Sequence, residues 1–146
     1  ARELDIDIID LSEKNISAYD YDHKNIDDDF IPLMRQLLEY EKIIFVTPVY
    51  WYAPSAQMKV FIDRTSDFLD VDELNGIGRQ LREKMAYIVC TSISSDADNS
   101  FMNSLKDTFR YLGMQYGGYI HANCEEGYIQ ERYQQDVDRF VRLVRG

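Results

Sequence analysis

The stretch Thr47-Pro48-Val49-Tyr50-Trp51-Tyr52-Ala53-Pro54-Ser55 sets two prolines and three consecutive aromatic rings directly after an apolar, β-branched run. Proline fixes its own backbone angle and carries no N–H, so the remaining amides of such a loop point in set directions. Tyr50, Trp51 and Tyr52 add flat faces. A rigid loop with rings and free amides suits a planar heterocycle that makes hydrogen bonds along its edge. The same rings would equally serve to pack between subunits or against the helix that follows.

Other residues able to do chemistry are sparse. His23 and His121 are the only histidines, and neither has paired carboxylates at ligand spacing, so no metal site is expected; His121, within YIHAN, reads as a packed or hydrogen-bonded strand-end residue. Asp27-Asp28-Asp29 lacks the alternating acids, the glycine and the distal glutamate of a calcium loop, and reads as a helix cap. Asp63 and Arg64 are adjacent, and adjacent helical residues do not share a face. They are expected to form ion pairs within the helix or between subunits rather than to grip a nicotinamide phosphate together. Cys90 lies in an apolar run and should be inert, whereas Cys124 sits near a loop. No nucleophile elbow and no phosphate-binding P-loop motif occurs, which removes the serine-hydrolase and P-loop nucleotidase readings.

Those residues need elements to position them, and the 146-residue chain suffices for one domain. Hydrophobic residues form 45% and charged residues 29%, which argues against disorder and against a disulfide-stapled miniature. Lys and Arg number 16 against 26 Asp and Glu, a net charge of −10, so nucleic acid and anionic membrane are not the expected partners. Two distant cysteines build no disulfide framework, and neither a spanning segment nor a signal pattern is present. The expected location is cytoplasmic.

Four segments read as strands: residues 4–11, 43–47 ending at Pro48, 85–93, and 119–122 after Gly117-Gly118. Between them fall helical stripes. Phe30, Met34, Leu37 and Leu38 share one face; Met58, Phe61, Ile62, Thr65 and Leu69 share another after a Ser55 cap. Phe101, Leu105, Phe109 and Leu112 repeat until Gly113, and Ile129, Tyr133, Val137, Phe140, Val141 and Val144 line a last helix ending among arginines. Residues 12–24 and 71–82 read as irregular. Alternating strands and amphipathic helices require crossovers, hence an α/β fold: a doubly wound parallel sheet in a single three-layer α/β/α domain over residues 1–146. Ligands of such sheets sit beyond the carboxyl ends of the strands, so the loops near Ser12, Pro48, Ser92 and Asn123 are the ones to examine.

The segment IIFVTPVYWYAPSAQMKVFIDR, residues 43–64, resembles the flavodoxin-like NAD(P)H-dependent FMN reductase family, with Ser55, Lys59 and Asp63-Arg64 at the family's spacing. CTSIS at residues 90–94 resembles its second flavin loop, and FRYLGMQYGG at 109–118 resembles its passage into the last strand. The resemblance implies a flavodoxin-like sheet, bound FMN, and NADPH or NADH as co-substrate, with hydride passing to a flavin, quinone or similar small acceptor. It implies that Pro48, Val49, Tyr50 and Trp51 wrap the edge and face of the isoalloxazine, and that Thr91, Ser92, Ser94 and Ser95 line its pyrimidine side. No catalytic side chain is implied, because the flavin performs the chemistry and backbone donors tune it. Related proteins place a cysteine motif after the first visible strand; ISAYDYDHKN at residues 16–25 has none, which excludes an iron–sulfur cluster.

The family also begins with a strand, a phosphate loop and a helix, and the sequence opens at what resembles the tail of that helix. The domain is therefore expected to lack its first strand and phosphate cradle, with about 30 further residues in the gene product. Surplus aromatics such as Tyr50 to Tyr52 or Tyr111 suit the face of a homodimer or homotetramer. Two readings compete with the reductase: an FMN-binding electron-carrier flavodoxin docking on protein partners through acidic surface, and a flavin-free truncated interaction module.

Overall fold

The computed structural model describes residues 4–146, and the expectation concerning the first three residues lies outside them. The strands are β1 (Lys42–Tyr50), β2 (Ala53–Pro54), β3 (Met85–Ser92) and β4 (Gln115–Asn123), in spatial order β2-β1-β3-β4. β1, β3 and β4 are parallel, and the short β2 pairs antiparallel with the end of β1. The helices are α1 (Phe30–Leu37), α2 (Ala56–Asp63), α3 (Asp67–Asp70), α4 (Asn75–Arg79), α5 (Asn99–Leu112) and α6 (Gln130–Arg145).

Local chemistry explains the boundaries. Ser55 Oγ accepts from Met58 N–H to open α2, and Asp98 accepts from Ser100 and Phe101 N–H to open α5. Asp28 accepts from Phe30 N–H where α1 begins, and Pro32 fits its first turn. Gly113 ends α5 with a left-handed φ of 80°. Lys42 Nζ donates to the carbonyls of Val144 and Arg145 at 2.6 and 3.3 Å, answering the unpaired end of α6.

The period-two alternation of the strands separates two cores. Ile43, Phe45, Ala86, Ile88 and Cys90 face Phe30, Phe61, Phe101, Leu105 and Phe109 on one side. Tyr87, with Ile44, Val89 and Ile120, faces Phe140 and Val144 on the other. Helices therefore lie on both faces, although α6 leaves Val46 of β1 64% exposed.

Three expectations are corrected. Residues 4–11 form no strand: the backbone runs irregularly into a 3₁₀ turn at Leu11–Glu13, with Ile8 77% exposed. Alternation describes what a strand's side chains need; a strand also needs a ladder partner, and β1 pairs only with β3 and β2. β1 does not stop at Pro48 but continues to Tyr50. Residues 71–82 are not wholly irregular, since α4 and two 3₁₀ turns bury Leu74, Ile77 and Leu81. After α2 the chain breaks into a 3₁₀ turn and the short α3, so Phe68, not Leu69, enters the core.

Gly117 is the extra residue of a β-bulge between the pairs Ala86↔Tyr116 and Tyr87↔Gly118. A Cβ there would lie 2.4 to 2.9 Å from ring atoms of the buried Tyr87, which is held edge-on against Phe140. Gly117→Ala should therefore lower stability by about 1–3 kcal/mol, read as a fall in urea midpoint with unchanged slope.

Candidate functional site

The carboxyl ends of β1 and β3 lie side by side, with Pro48 in register with Thr91. Each strand end carries one of the two loops singled out above.

The first loop is anchored by Thr47, which is 2% exposed. Its Oγ1 donates to the carbonyl of Pro48 and accepts from Ser55 N–H, both at 2.9 Å, so one hydroxyl ties the loop's beginning to its end. Between these ties the chain makes a two-residue hairpin, Val49 pairing with Pro54 and Tyr50 with Ala53. Its central residues, Trp51 and Tyr52, have φ of 52° and 64°. Positive φ at both central positions is the mark of a type I′ turn, which asparagine and glycine favour. Two aromatic residues there hold roughly 1–2 kcal/mol of strain each, a feature that clusters at ligand sites. The rings are presented to solvent: Tyr50 is 62%, Trp51 93% and Tyr52 67% exposed.

The second loop, residues 92–95, is clamped by the end of β4. Asn123 Nδ2 donates to the carbonyls of Ile93 and Ser94 at 3.1 and 3.0 Å, and Cys124 N–H donates to the carbonyl of Ser92 at 2.8 Å. Ser92 Oγ accepts from Ser94 N–H and lies 2.8 Å from His121 Nε2. Asn123 is itself held by Tyr133 of α6, whose hydroxyl bonds both its N–H and its carbonyl at 2.9 Å. Ser94 and Ser95 are exposed.

The residues named from sequence thus fall into two adjacent groups: Pro48, Val49, Tyr50 and Trp51 on one, Thr91, Ser92, Ser94 and Ser95 on the other. Sequence reasoning missed Thr47 and Asn123 as clamps; it read His121 as a packed or hydrogen-bonded strand-end residue, and the contact with Ser92 at the end of β4 is of that kind. The only signal of Thr47 and Asn123 is a polar residue at the end of an apolar strand. The donors present suit an uncharged planar ring: hydroxyls and backbone groups on one loop, exposed rings on the other, and no Lys or Arg in either segment 47–55 or 91–95. That set fits the ring of a flavin and supplies nothing for a phosphate.

The arrangement is an open shelf. Two hollows lie elsewhere, one of about 500 Å³ between Tyr119 and α6 at Arg139, Phe140 and Leu143, the other of about 310 Å³ between Leu11 to Ile16 and the start of α2. Neither includes the residues of the two loops, and the shared strand register, not concavity, marks the site.

Beneath the first loop, the charges Lys59, Asp63 and Arg64 resolve into two different roles. Lys59 and Asp63 form an exposed i,i+4 pair at 2.6 and 2.8 Å. Arg64 is fully buried over the Phe30 ring; it donates to Asp28, to Asp67 at 2.8 Å and to the carbonyls of Ser17 and Asn25. Asp67 also meets His23 Nδ1 at 3.0 Å. Asp28 is therefore more than a helix cap. Arg64 fastens the irregular segment 12–29 to the elements that carry the first loop. Burial and the nearby Asp96 push the Cys90 thiol up to about 11, which keeps it protonated and unreactive at neutral pH.

Among the described residues, no helix is long and apolar enough to cross a membrane, and no group of His, Cys, Asp and Glu is arranged to hold a metal ion.

The sequence model of the NADPH-dependent FMN reductase family matches residues 1–126. Over 137 residues the chain is 25% identical to YwqN of Bacillus subtilis (strain 168), covering 75% of this chain and 74% of that protein, whose name describes an NAD(P)H-dependent FMN-containing oxidoreductase. Among solved structures, the Trp repressor binding protein from Bacillus subtilis superposes with a TM-score of 0.59 at 24% identity, covering 68% of this chain and 69% of its own. An NADPH-quinone reductase from P. pentosaceus gives 0.57 at 19% identity over 79% of this chain and 73% of its own. These structural likenesses establish a shared flavodoxin-like fold.

Proposed function

The chain belongs to the NADPH-dependent FMN reductase family, and from that premise we propose that it binds FMN on the shelf between the loops after β1 and β3 and passes hydride from NADPH or NADH to a flavin, quinone or similar small acceptor. The observation that carries this reading is the register of Pro48 with Thr91, which sets a strained, ring-bearing hairpin beside a hydroxyl-lined loop.

FMN, when bound, supplies the hydride chemistry. The protein's part is to hold and to cover. In this reading Pro48, Val49 and Tyr50 follow one edge of the isoalloxazine and the Trp51 ring covers its face, where offset stacking contributes most. Thr91, Ser92, Ser94 and Ser95 serve the pyrimidine side, where neutral donors meet ring carbonyls without titrating. An open shelf accepts nicotinamide and acceptor in turn, so no second substrate site is required. The exposed rings of Tyr50, Trp51, Tyr52 and Tyr111 would face a second copy in a homodimer or homotetramer, which closes the shelf from solvent. A cytoplasmic setting, with no nucleic acid or membrane partner, suits the net charge of −10.

The same charge favours one other reading, an electron carrier that docks through acidic surface. Anaerobic mixing of the FMN-loaded protein with NADPH or NADH separates them. Loss of the flavin's visible absorbance with nucleotide alone is the expected result; bleaching that requires a second protein would mark a carrier.

A further inference from the structure

The contact between Ser92 and His121 joins the second loop to β4 at 2.8 Å, and it does more than tie two strand ends. A serine hydroxyl has one hydrogen and two lone pairs. Ser94 N–H fills one lone pair at 3.1 Å. What remains depends on the histidine. When Nε2 carries a hydrogen it fills the second lone pair, and the Ser92 hydrogen is free to donate to a ligand. When Nε2 is bare, Ser92 donates to it and offers a ligand only a lone pair. A protonated imidazole permits the first arrangement alone.

We propose that His121 is a positioning residue of the flavin site, which through Ser92 sets whether the second loop presents a donor or an acceptor and takes up a proton when bound flavin is reduced. The inference rests on the site assignment under Proposed function. Hydride transfer from NADPH or NADH adds two electrons and one proton to the flavin and leaves one extra negative charge on its pyrimidine side. That charge favours a donating Ser92 and a cationic imidazole behind it. One proton from solvent water completes the balance at the second imidazole nitrogen; no other bond forms or breaks.

The surroundings permit such uptake. Burial holds the imidazole below its ordinary value while the carboxylate of Asp96, on the loop after β3, works in the opposite direction. The imidazole is consequently neutral at pH 7 before reduction. Cys90, the register partner of His121 on β3, remains a neutral thiol. Tyr133 of α6 is engaged with the Asn123 backbone two residues on, and Glu125 follows in the exposed turn. Among the described residues, Asp96 is the carboxylate whose charge bears on His121.

The test is an NMR titration of the two histidine rings in the FMN-bound protein, oxidised and then reduced anaerobically with dithionite. His121→Gln removes the His121 signal and His23→Gln leaves it, so either variant assigns it. The expected result is that reduction raises the proton affinity of His121 by about tenfold or more, one pH unit in its midpoint, and that Ser92→Ala, compared at saturating FMN, loses most of this shift. An unchanged His121 midpoint in protein that binds FMN in both states would overturn the proposal and leave the site assignment standing. Failure of the folded protein to bind FMN at all would overturn both.

Discussion

Replacing Arg64 with alanine is expected to destabilise the fold by about 3–5 kcal/mol, because it leaves two buried carboxylates without their cation. Arg64 and Asp67 are 0% and 1% exposed, so without the guanidinium the buried carboxylate of Asp67 keeps only His23 Nδ1, at 3.0 Å, as a side-chain partner. Most domains hold only about 5–15 kcal/mol in total, so the variant should sit near its unfolding threshold. Arg64→Lys should recover little, since one ammonium cannot reproduce a guanidinium that reaches Asp28, Asp67 and two carbonyls in different directions. Lys59→Ala, which breaks only the exposed pair with Asp63, should cost less than about 1 kcal/mol. Urea unfolding of the three variants at neutral pH orders them.

The same network carries an acid dependence. Burial alone would raise the Asp28 carboxyl, but hydrogen bonds from Arg64, Ser17 N–H and Phe30 N–H, with the charge of Arg64, outweigh it and hold Asp28 below the usual carboxylate range. A depressed carboxylate stabilises the fold above its unfolded value, and that contribution is lost as pH falls through the folded one. The gap in stability between the parent and Arg64→Ala should therefore narrow as pH drops below the ordinary aspartate range.

Thr47→Val is the second large effect, and it reports on the site. The substitution keeps shape but removes the hydroxyl that Ser55 N–H uses as its acceptor, a loss of about 1–3 kcal/mol for a part-buried donor left unpaired. Because the hydroxyl ties both ends of the hairpin, the strained Trp51-Tyr52 turn should relax, and FMN affinity should fall by about tenfold if 1.4 kcal/mol of that order is charged to binding. Thr47→Ser retains the hydroxyl and should restore affinity. Equal FMN affinity in all three proteins would separate the hairpin from the flavin site.

Much of this was legible in residue order. The 3.6-residue stripes of α5 and α6, the Ser55 cap and the β-branched runs of β1 and β3 each depend on neighbours in sequence, so they were readable. Residues 4–11 were not, because a strand's existence depends on an available edge that no local pattern records. The hairpin at Trp51-Tyr52 escaped because its turn uses aromatic residues where the usual signal is asparagine and glycine. Both candidate loops could be found from proline, aromatic and serine content, whereas the partners of their clamps could not: Thr47, His121 and Asn123 matter through partners eight to thirty positions away. Arg64 was visible as a charge, but its burial required Asp28 and Asp67 to converge from separate elements.

The central claim is that the loops after β1 and β3 form a flavin site, and titration of FMN with the protein, followed by quenching of flavin fluorescence, tests it most directly. Saturable quenching that weakens in Trp51→Ala and in Thr47→Val is the predicted result. Flavin fluorescence unchanged by excess folded protein, or quenching indifferent to both substitutions, would contradict it.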